Sequence, residues 1–172
     1  MKVLIVSDSH GLTQELSQIK QRHEVSAMIH CGDSELDMDA EELQHYIKVA
    51  GNCDFDSRYP TEQAVEIGDL VFYVTHGHLT DVNAGLLALS YRSKEYNADV
   101  VCFGHTHKAG AELVDEQLLI NPGSIKQSRG KYEESYAILT WDSKSEIHVD
   151  FYSVDGRLLD PLSDRYTLHA GN

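Results

Sequence analysis

Five short apolar runs in this chain end directly in residues able to bind a metal ion, and this arrangement restricts the fold more than any other feature. The endings read VLIVSDSH with Asp8 and His10, AMIHCGD with Asp33, IKVAGNCD with Asn52, LVFYVTHGH with His76, and VVCFGHTH with His105 and His107. Each run has the length and composition of a buried strand. Side chains just past the carboxyl ends of neighbouring strands share one sheet edge, where α/β proteins place their ligands. Seven Asp, His and Asn side chains on one edge exceed the needs of one metal ion and suit two.

The chain of 172 residues is read as one domain over 1–172, large enough for a substantial apolar core. A formal charge of −14 argues against a surface that tracks a phosphate backbone, since such surfaces need clustered Lys and Arg. Bound divalent cations would offset part of that charge, so a small anionic substrate could meet metal rather than bare carboxylates. The apolar stretch Val3–Val6 is too short for a signal-peptide core, and no run approaches membrane-spanning length. Cys31, Cys53 and Cys102 are odd in number, scattered and without a CxxC pair, which disfavours a disulfide framework or a structural zinc site. These features predict a cytoplasmic protein.

The first half alternates strand and helix. A helix is predicted from near Thr13, with Leu12, Leu16 and Ile19 on one face. Strands are predicted at Ala27–Cys31 and Ile47–Ala50, with the acidic stretch Ser34–Glu42 between them as a loop feeding a helix N-terminus. Glu62–Ile67 and Leu70–Thr75 flank Gly68-Asp69, a hairpin signal. Asn83–Tyr96 reads as a helix with Ala84, Leu87, Ala88 and Tyr91 at helical spacing, and Val100–Phe103 as a strand. From Ala109 onward the pattern becomes hairpins, including Leu118–Ile120, Ser135–Trp141 and Ser145–Ser153. Two stacked sheets with helices outside would satisfy both halves.

Asp8 and His10 are separated by one residue, and His105 and His107 repeat that spacing. In extended backbone such pairs project to the same side and can reach one ion. Gly32 lets the backbone turn closely before Asp33, a carboxylate able to bridge two ions. Nitrogen and oxygen donors without thiolate suit Mn, Fe, Zn, Co or Ni. Any one of these residues alone would read as structural, and it is their joint pattern that points to metal.

The ordered set DSH, GD, GNCD, HGH and GHTH resembles the calcineurin-like metallophosphoesterases, whose signatures are DxH, GD, GNH[DE], H and GHxH. The short length, GNCD and the later Asn121-Pro122-Gly123-Ser124 make the chain similar to their small YfcE-type bacterial and archaeal phosphodiesterases. The resemblance implies a four-layer α-β-β-α sandwich of two mixed sheets, with metals at the carboxyl ends of the strands. It implies two divalent ions, with Mn²⁺ first and Fe, Ni, Co or Zn as alternatives. One would be held by Asp8, His10 and His107 and the other by Asn52, His76 and His105, with Asp33 shared. Two cations roughly 3.5–4 Å apart can lower the pKa of a bridging water and clamp both oxygens of a phosphoryl displacement. The implied reaction is therefore phosphodiester hydrolysis by a metal-bridging hydroxide on a small-molecule diester.

The chain departs from the family at Cys53, where the family has a His expected to contact phosphate and protonate the leaving group. A thiol, with a pKa of roughly 8.5, replaces an imidazolium poorly. Losing that charge should hurt dianionic monoesters most, so diesters are expected to be preferred. A small residue packing the loop is the structural alternative for Cys53. His78, two residues after His76, is a candidate phosphate ligand or general acid, with support of the metal shell as its alternative. Asp54 reads as ordering the Asn52 loop, and Asn121-Pro122-Gly123-Ser124 as a turn at the site's rim. His23, His30, His45, His148 and His169 have no ligand-like setting. The runner-up function is a non-catalytic protein-interaction scaffold of the same fold, like the retromer small subunit. A homo-oligomer is compatible with the sequence, although no single apolar patch can be read from it.

Overall fold

The computed structural model describes residues 1–168, so His169 lies outside the described residues. The chain forms two mixed sheets. In the first, β1 (Lys2–Val6), β2 (Ala27–His30) and β3 (Tyr46–Lys48) run parallel; β9 (Ser135–Ser143) pairs antiparallel with β1, followed by β10 (Glu146–Ser153) and β11 (Asp164–Tyr166). In the second, β4 (Glu62–Ile67) pairs antiparallel with β5 (Leu70–Thr75). Next come β6 (Val100–Cys102) and β8 (Gln117–Asn121), both parallel to β5, with β7 (Gly110–Val114) antiparallel at the edge.

Burial alternates along the central strands and divides the apolar residues among three cores. Val3 and Ile5 of β1 meet Phe72 and Val74 of β5 between the sheets. Leu4 and Val6 face the other way, onto Leu16 and Ile19 of helix α1 (Gln14–Arg22). On the far side, Tyr73 and Val101 face Leu89 of helix α2 (Leu87–Lys94). Strands covered on both faces must be apolar at every position, which is why the runs in the sequence are continuous rather than alternating. Burying each Leu or Ile completely contributes roughly 1.5–3 kcal/mol. The result is the expected helix–sheet–sheet–helix layering. No helix among the described residues is long and apolar enough to cross a membrane, and all three cysteines are free.

Three local expectations are corrected. The acidic stretch Ser34–Glu42 feeds no α-helix; it ends in a single 3-10 turn at Glu41–Leu43. The third strand is Tyr46–Lys48, not Ile47–Ala50. Helix α2 is shorter than Asn83–Tyr96, because Gly85 at φ +144° interrupts a right-handed helix before Leu87. Its buried face is also not the apolar stripe: Leu87 and Tyr91 are 60% and 59% exposed, while Leu89, Ser90 and Ser93 are buried. The two serine hydroxyls donate to Gln117 Oε1 at 3.0 and 3.1 Å, and Gln117 Nε2 donates to the Ala98 carbonyl at 2.9 Å. A satisfied polar contact can therefore be buried here in preference to Tyr91.

Candidate metal centre

The carboxyl ends of β1, β2, β3, β5 and β6 meet at one edge, as expected, and β8 adds a sixth. Hydrogen bonding continues past the strands: Asp8 N–H donates to the Gly32 carbonyl (3.0 Å), His10 N–H to Asp33 (2.9 Å), and Gly104 N–H to His76 (3.0 Å). Convergence of the Asp8/His10 and His105/His107 pairs does not come from extended backbone, which corrects the sequence reading. Asp8, His10, Asp33, His105 and His107 all have positive φ, between +42° and +70°. Asp and His reach this left-handed region more readily than most residues, and five such residues at one edge mark stored strain at a functional site. Likewise the backbone turns at Gly77 (φ +107°) into a 3-10 turn at His78–Thr80, so His78 is not on an extended strand.

Asp8 is completely buried and its two oxygens differ. Oδ2 accepts from Ser7 Oγ (2.5 Å) and from His105 N–H (3.1 Å). Oδ1 has no hydrogen-bond partner, yet it lies 3.1 Å from His107 Nε2, 3.7 Å from His10 Nε2 and 3.8 Å from His76 Nε2. The three imidazoles are held from behind. His76 Nδ1 donates to the Cys31 carbonyl (2.8 Å) and His107 Nδ1 to the Gln127 carbonyl (2.7 Å), while His10 Nδ1 lies 3.4 Å from Glu35 Oε2. With Nδ1 protonated, each ring turns an Nε2 lone pair inward, the tautomer and orientation of a metal-ligating histidine. His10 and His107 present their Nε2 atoms to each other at 3.2 Å, and His76 Nε2 is buried without a partner. Orphaned buried acceptors facing one another are costly unless a cation lies between them, so the residues present fit a metal.

Asp33 Oδ2 lies between the two sides of this cluster, 3.2 Å from His76 Nε2 and 3.9 Å from His10 Nε2. Its Oδ1 accepts from Cys53 N–H (2.8 Å). Asp54 staples the two loops: its carboxylate accepts from the N–H groups of Asp33 (2.7 Å), Glu35 (2.8 Å) and Gly51 (2.7 Å). That is the loop-ordering role expected of Asp54. The Asn121–Ser124 turn props up the opposite side, with Asn121 Nδ2 donating to the Gly104 carbonyl (3.1 Å) and Ser124 Oγ to the Asp8 carbonyl (2.8 Å).

Two donor groups emerge whose ligand atoms all lie within 4.8 Å of one another: Asp8, His10 and His107, and Asp8, Asp33 and His76. His105 stands beside the second, its ring 5.1 Å from that of His76. Asn52 is exposed and its Nδ2 faces Cys53 Sγ at 3.5 Å, with no hydrogen bond to His76 or His105. His78 is half-buried, 5.4 Å from His76 and 6.1 Å from His105 between ring centroids, and its buried Nδ1 has no partner. Cys53 joins His10 and Glu35 in a third group at the rim. Glu35 was absorbed into an acidic loop in the sequence reading, although a carboxylate two residues past Asp33 was the available signal. Gln127 acts through its carbonyl, for which a sequence carries no signal. His30 is buried and structural, sharing a hydrogen with Ser9 Oγ at 2.8 Å, and burial lowers its pKa to about 4.

Burial would raise the carboxyl pKa of Asp8, but His10, His107, His76 and Ser7 together hold it far below the ordinary range. For Asp33, burial is likewise outweighed, chiefly by His76. The adjacent Asp8 carboxylate raises His10; His76 is raised because Asp33 and Asp8 overcome the opposing effect of burial. Burial and the charge of His76 instead lower His105 and His78. A histidine with a raised pKa is protonated below that pKa, so an incoming metal must displace the proton. Metal affinity should therefore rise with pH, falling on the order of tenfold or more from about pH 7.5 to about pH 5.5, with protons released on binding. Calorimetric titration in buffers of different ionisation enthalpy measures both effects; a flat affinity over that range would contradict the assignment of these histidines.

This geometry and the fold around it are those of a metallophosphoesterase, and the chain belongs to the calcineurin-like phosphoesterase superfamily, whose domain matches residues 1–144. It is 48% identical over 170 residues to the probable metallophosphoesterase YsnB of Bacillus subtilis, covering 98% of this chain and 100% of that protein. It is 33% identical over 144 residues to the phosphodiesterase MJ0936 of Methanocaldococcus jannaschii, covering 72% of this chain and 83% of that one. Among solved structures, a conserved Streptococcus pneumoniae protein described as a predicted phosphoesterase superposes with a TM-score of 0.91 at 36% identity, over 96% of each chain.

Proposed function

We propose that the chain, as one domain over residues 1–172, is a binuclear metal-dependent phosphodiesterase for small diesters. The observation that carries this reading is the pair of buried, partnerless atoms Asp8 Oδ1 and His76 Nε2, set among imidazoles whose outer nitrogens are anchored. Asp8, His10 and His107 would hold one ion and Asn52, His76 and His105 the other, with Asp33 between; Mn²⁺ is the first choice. Asn52 would have to turn from Cys53 toward His76. When bound, the ions would neutralise phosphate charge and lower the pKa of a water.

The chain's own residues then bear on the choice of ester. Burial and the neighbouring Asp33 push the Cys53 thiol up to about 11, so at neutral pH it is an uncharged, weak donor. It cannot meet the second negative charge of a monoester as an imidazolium would. His78, half-buried beside His76 and His105, is the other candidate to hand a proton to a leaving alkoxide; burial and the charge of His76 lower its pKa, so that role would weaken as pH rises.

Metal analysis combined with a panel of monoesters, diesters and cyclic nucleotides tests the reading. Diesters should turn over faster than monoesters, and Cys53→His should raise the monoester-to-diester rate ratio by about ten- to hundredfold. An unchanged ratio would remove the charge explanation. On the same panel, His78→Ala with full metal content but normal turnover would exclude His78 as the acid. Protein that binds Mn²⁺ but hydrolyses no diester would instead be an interaction scaffold, a reading that the exposed Phe55, Leu79, Leu87 and Tyr91 would serve.

A further inference from the structure

Past the end of β8 the chain runs Ser124-Ile125-Lys126-Gln127-Ser128-Arg129-Gly130-Lys131 along the GHTH loop. Three contacts hold it against the metal centre. The Gln127 carbonyl accepts from His107 Nδ1 (2.7 Å), the His107 carbonyl accepts from Arg129 N–H (3.0 Å), and Lys126 Nζ donates to the His10 carbonyl (2.7 Å). Gly130 packs beside Lys108, so that a Cβ there would sit 3.5 Å from the Lys108 Cα. Lys108, Lys126, Arg129 and Lys131, all exposed, are thereby gathered on the side of the centre formed by Asp8, His10 and His107.

This gathering is unusual for the molecule. The chain has fourteen Lys and Arg against a net charge of −14, and four of them lie here. Elsewhere Arg58, Arg92, Lys94, Lys144 and Arg157 are paired with carboxylates, Lys20, Arg22 and Lys48 donate to main-chain carbonyls, and Lys2 and Arg165 stand apart from one another without an ion pair. None of the four loop cations makes an ion pair among the described residues. Of the acids nearby, Glu133 pairs with Arg157 and Glu134 Oε1 accepts from Ser128 N–H (3.3 Å), while Glu112 lines one cleft with Lys108 without pairing to it. Only Lys131 has an aromatic neighbour, its Nζ 5.5 Å from the Tyr132 ring. Cations brought together by main-chain contacts, with no counterion of their own, form a local positive field on an acidic protein. A single scissile phosphate held by metal leaves that field unused.

We infer that Lys108, Lys126, Arg129 and Lys131 bind a second phosphate of the substrate, outside the scissile diester. The inference rests on the phosphoesterase reading of the centre, and it narrows the substrate class to small diesters that carry an additional phosphomonoester. The flexible, separated side chains suit a solvent-exposed phosphate better than one buried in a tight cage.

Binding and turnover test it separately. Calorimetry on the Mn²⁺-loaded protein compares thymidine 5′-phosphate with thymidine 3′,5′-bisphosphate, and kinetics compare the dinucleotide TpT with its 5′-phosphorylated form pTpT. The bisphosphate is expected to bind about tenfold tighter at low salt, an advantage that added salt erodes. In the double variant Arg129→Gln/Lys131→Gln, whose altered side chains are exposed, the bisphosphate advantage and the pTpT-to-TpT ratio of kcat/KM should both collapse toward one. Equal affinity for the two ligands, or a preference that survives the double substitution, overturns the inference. A bisphosphate preference that the variant abolishes, without turnover of any diester, upholds the anion site and instead discards the diesterase reading.

Discussion

Asp33→Ala is expected to abolish two-metal binding and to lower diester turnover on the order of a thousandfold or more. Asp33 Oδ2 lies within 4 Å of both His76 and His10, at 3.2 and 3.9 Å, as does Asp8 Oδ1 at 3.8 and 3.7 Å, so these two carboxylates are the groups placed to join the two halves of the centre. The other oxygen of Asp33 caps Cys53 N–H and so holds the GNCD loop in place. Removing Asp33 would therefore withdraw the proposed shared ligand and free the loop that carries Asn52. Metal analysis after gel filtration should fall from two ions per chain to at most one, with the circular dichroism of the fold retained. Two ions retained at undiminished affinity would show that Asp33 bridges nothing.

Gly51→Ala should be nearly as damaging, although it removes no donor. A Cβ at Gly51 would fall on Asp33 Oδ1, far inside van der Waals contact, and 2.6 Å from the Asp33 backbone nitrogen. The latter atom is fixed by Asp54, so the backbone cannot yield cheaply. The GNCD and GD loops must part, at a cost of about 1–3 kcal/mol in stability by analogy with overpacking elsewhere. The expected outcome is a lowered melting temperature together with weakened binding of one ion rather than both. Wild-type melting and metal affinity in Gly51→Ala would show that the two loops part without cost.

The strands were largely legible because their signal is local. A run such as Val3–Val6 must be covered on both faces, and the Gly68-Asp69 hairpin falls at the expected residues. Helix α2 was misread for a reason equally physical. Apolar spacing marks a buried stripe only when the alternative face is polar and unsatisfied. Here Ser90 and Ser93 meet Gln117, which lies more than twenty residues away, and that distant partner turned the helix.

By itself the sequence determined the α/β strand framework, the donor types, and the order in which the donors reach a single edge, since strand runs and their polar ends are written in adjacent residues. Only the tertiary structure decided how those donors meet. The left-handed turns at Asp8, His10, Asp33, His105 and His107 replace the extended backbone assumed from spacing. The carbonyls of Cys31 and Gln127 select the imidazole tautomers, Glu35 comes up behind His10, and a cationic loop from beyond β8 lies along the rim. Each depends on groups far apart in the chain or on main-chain atoms common to all residues, and neither leaves a mark on local composition.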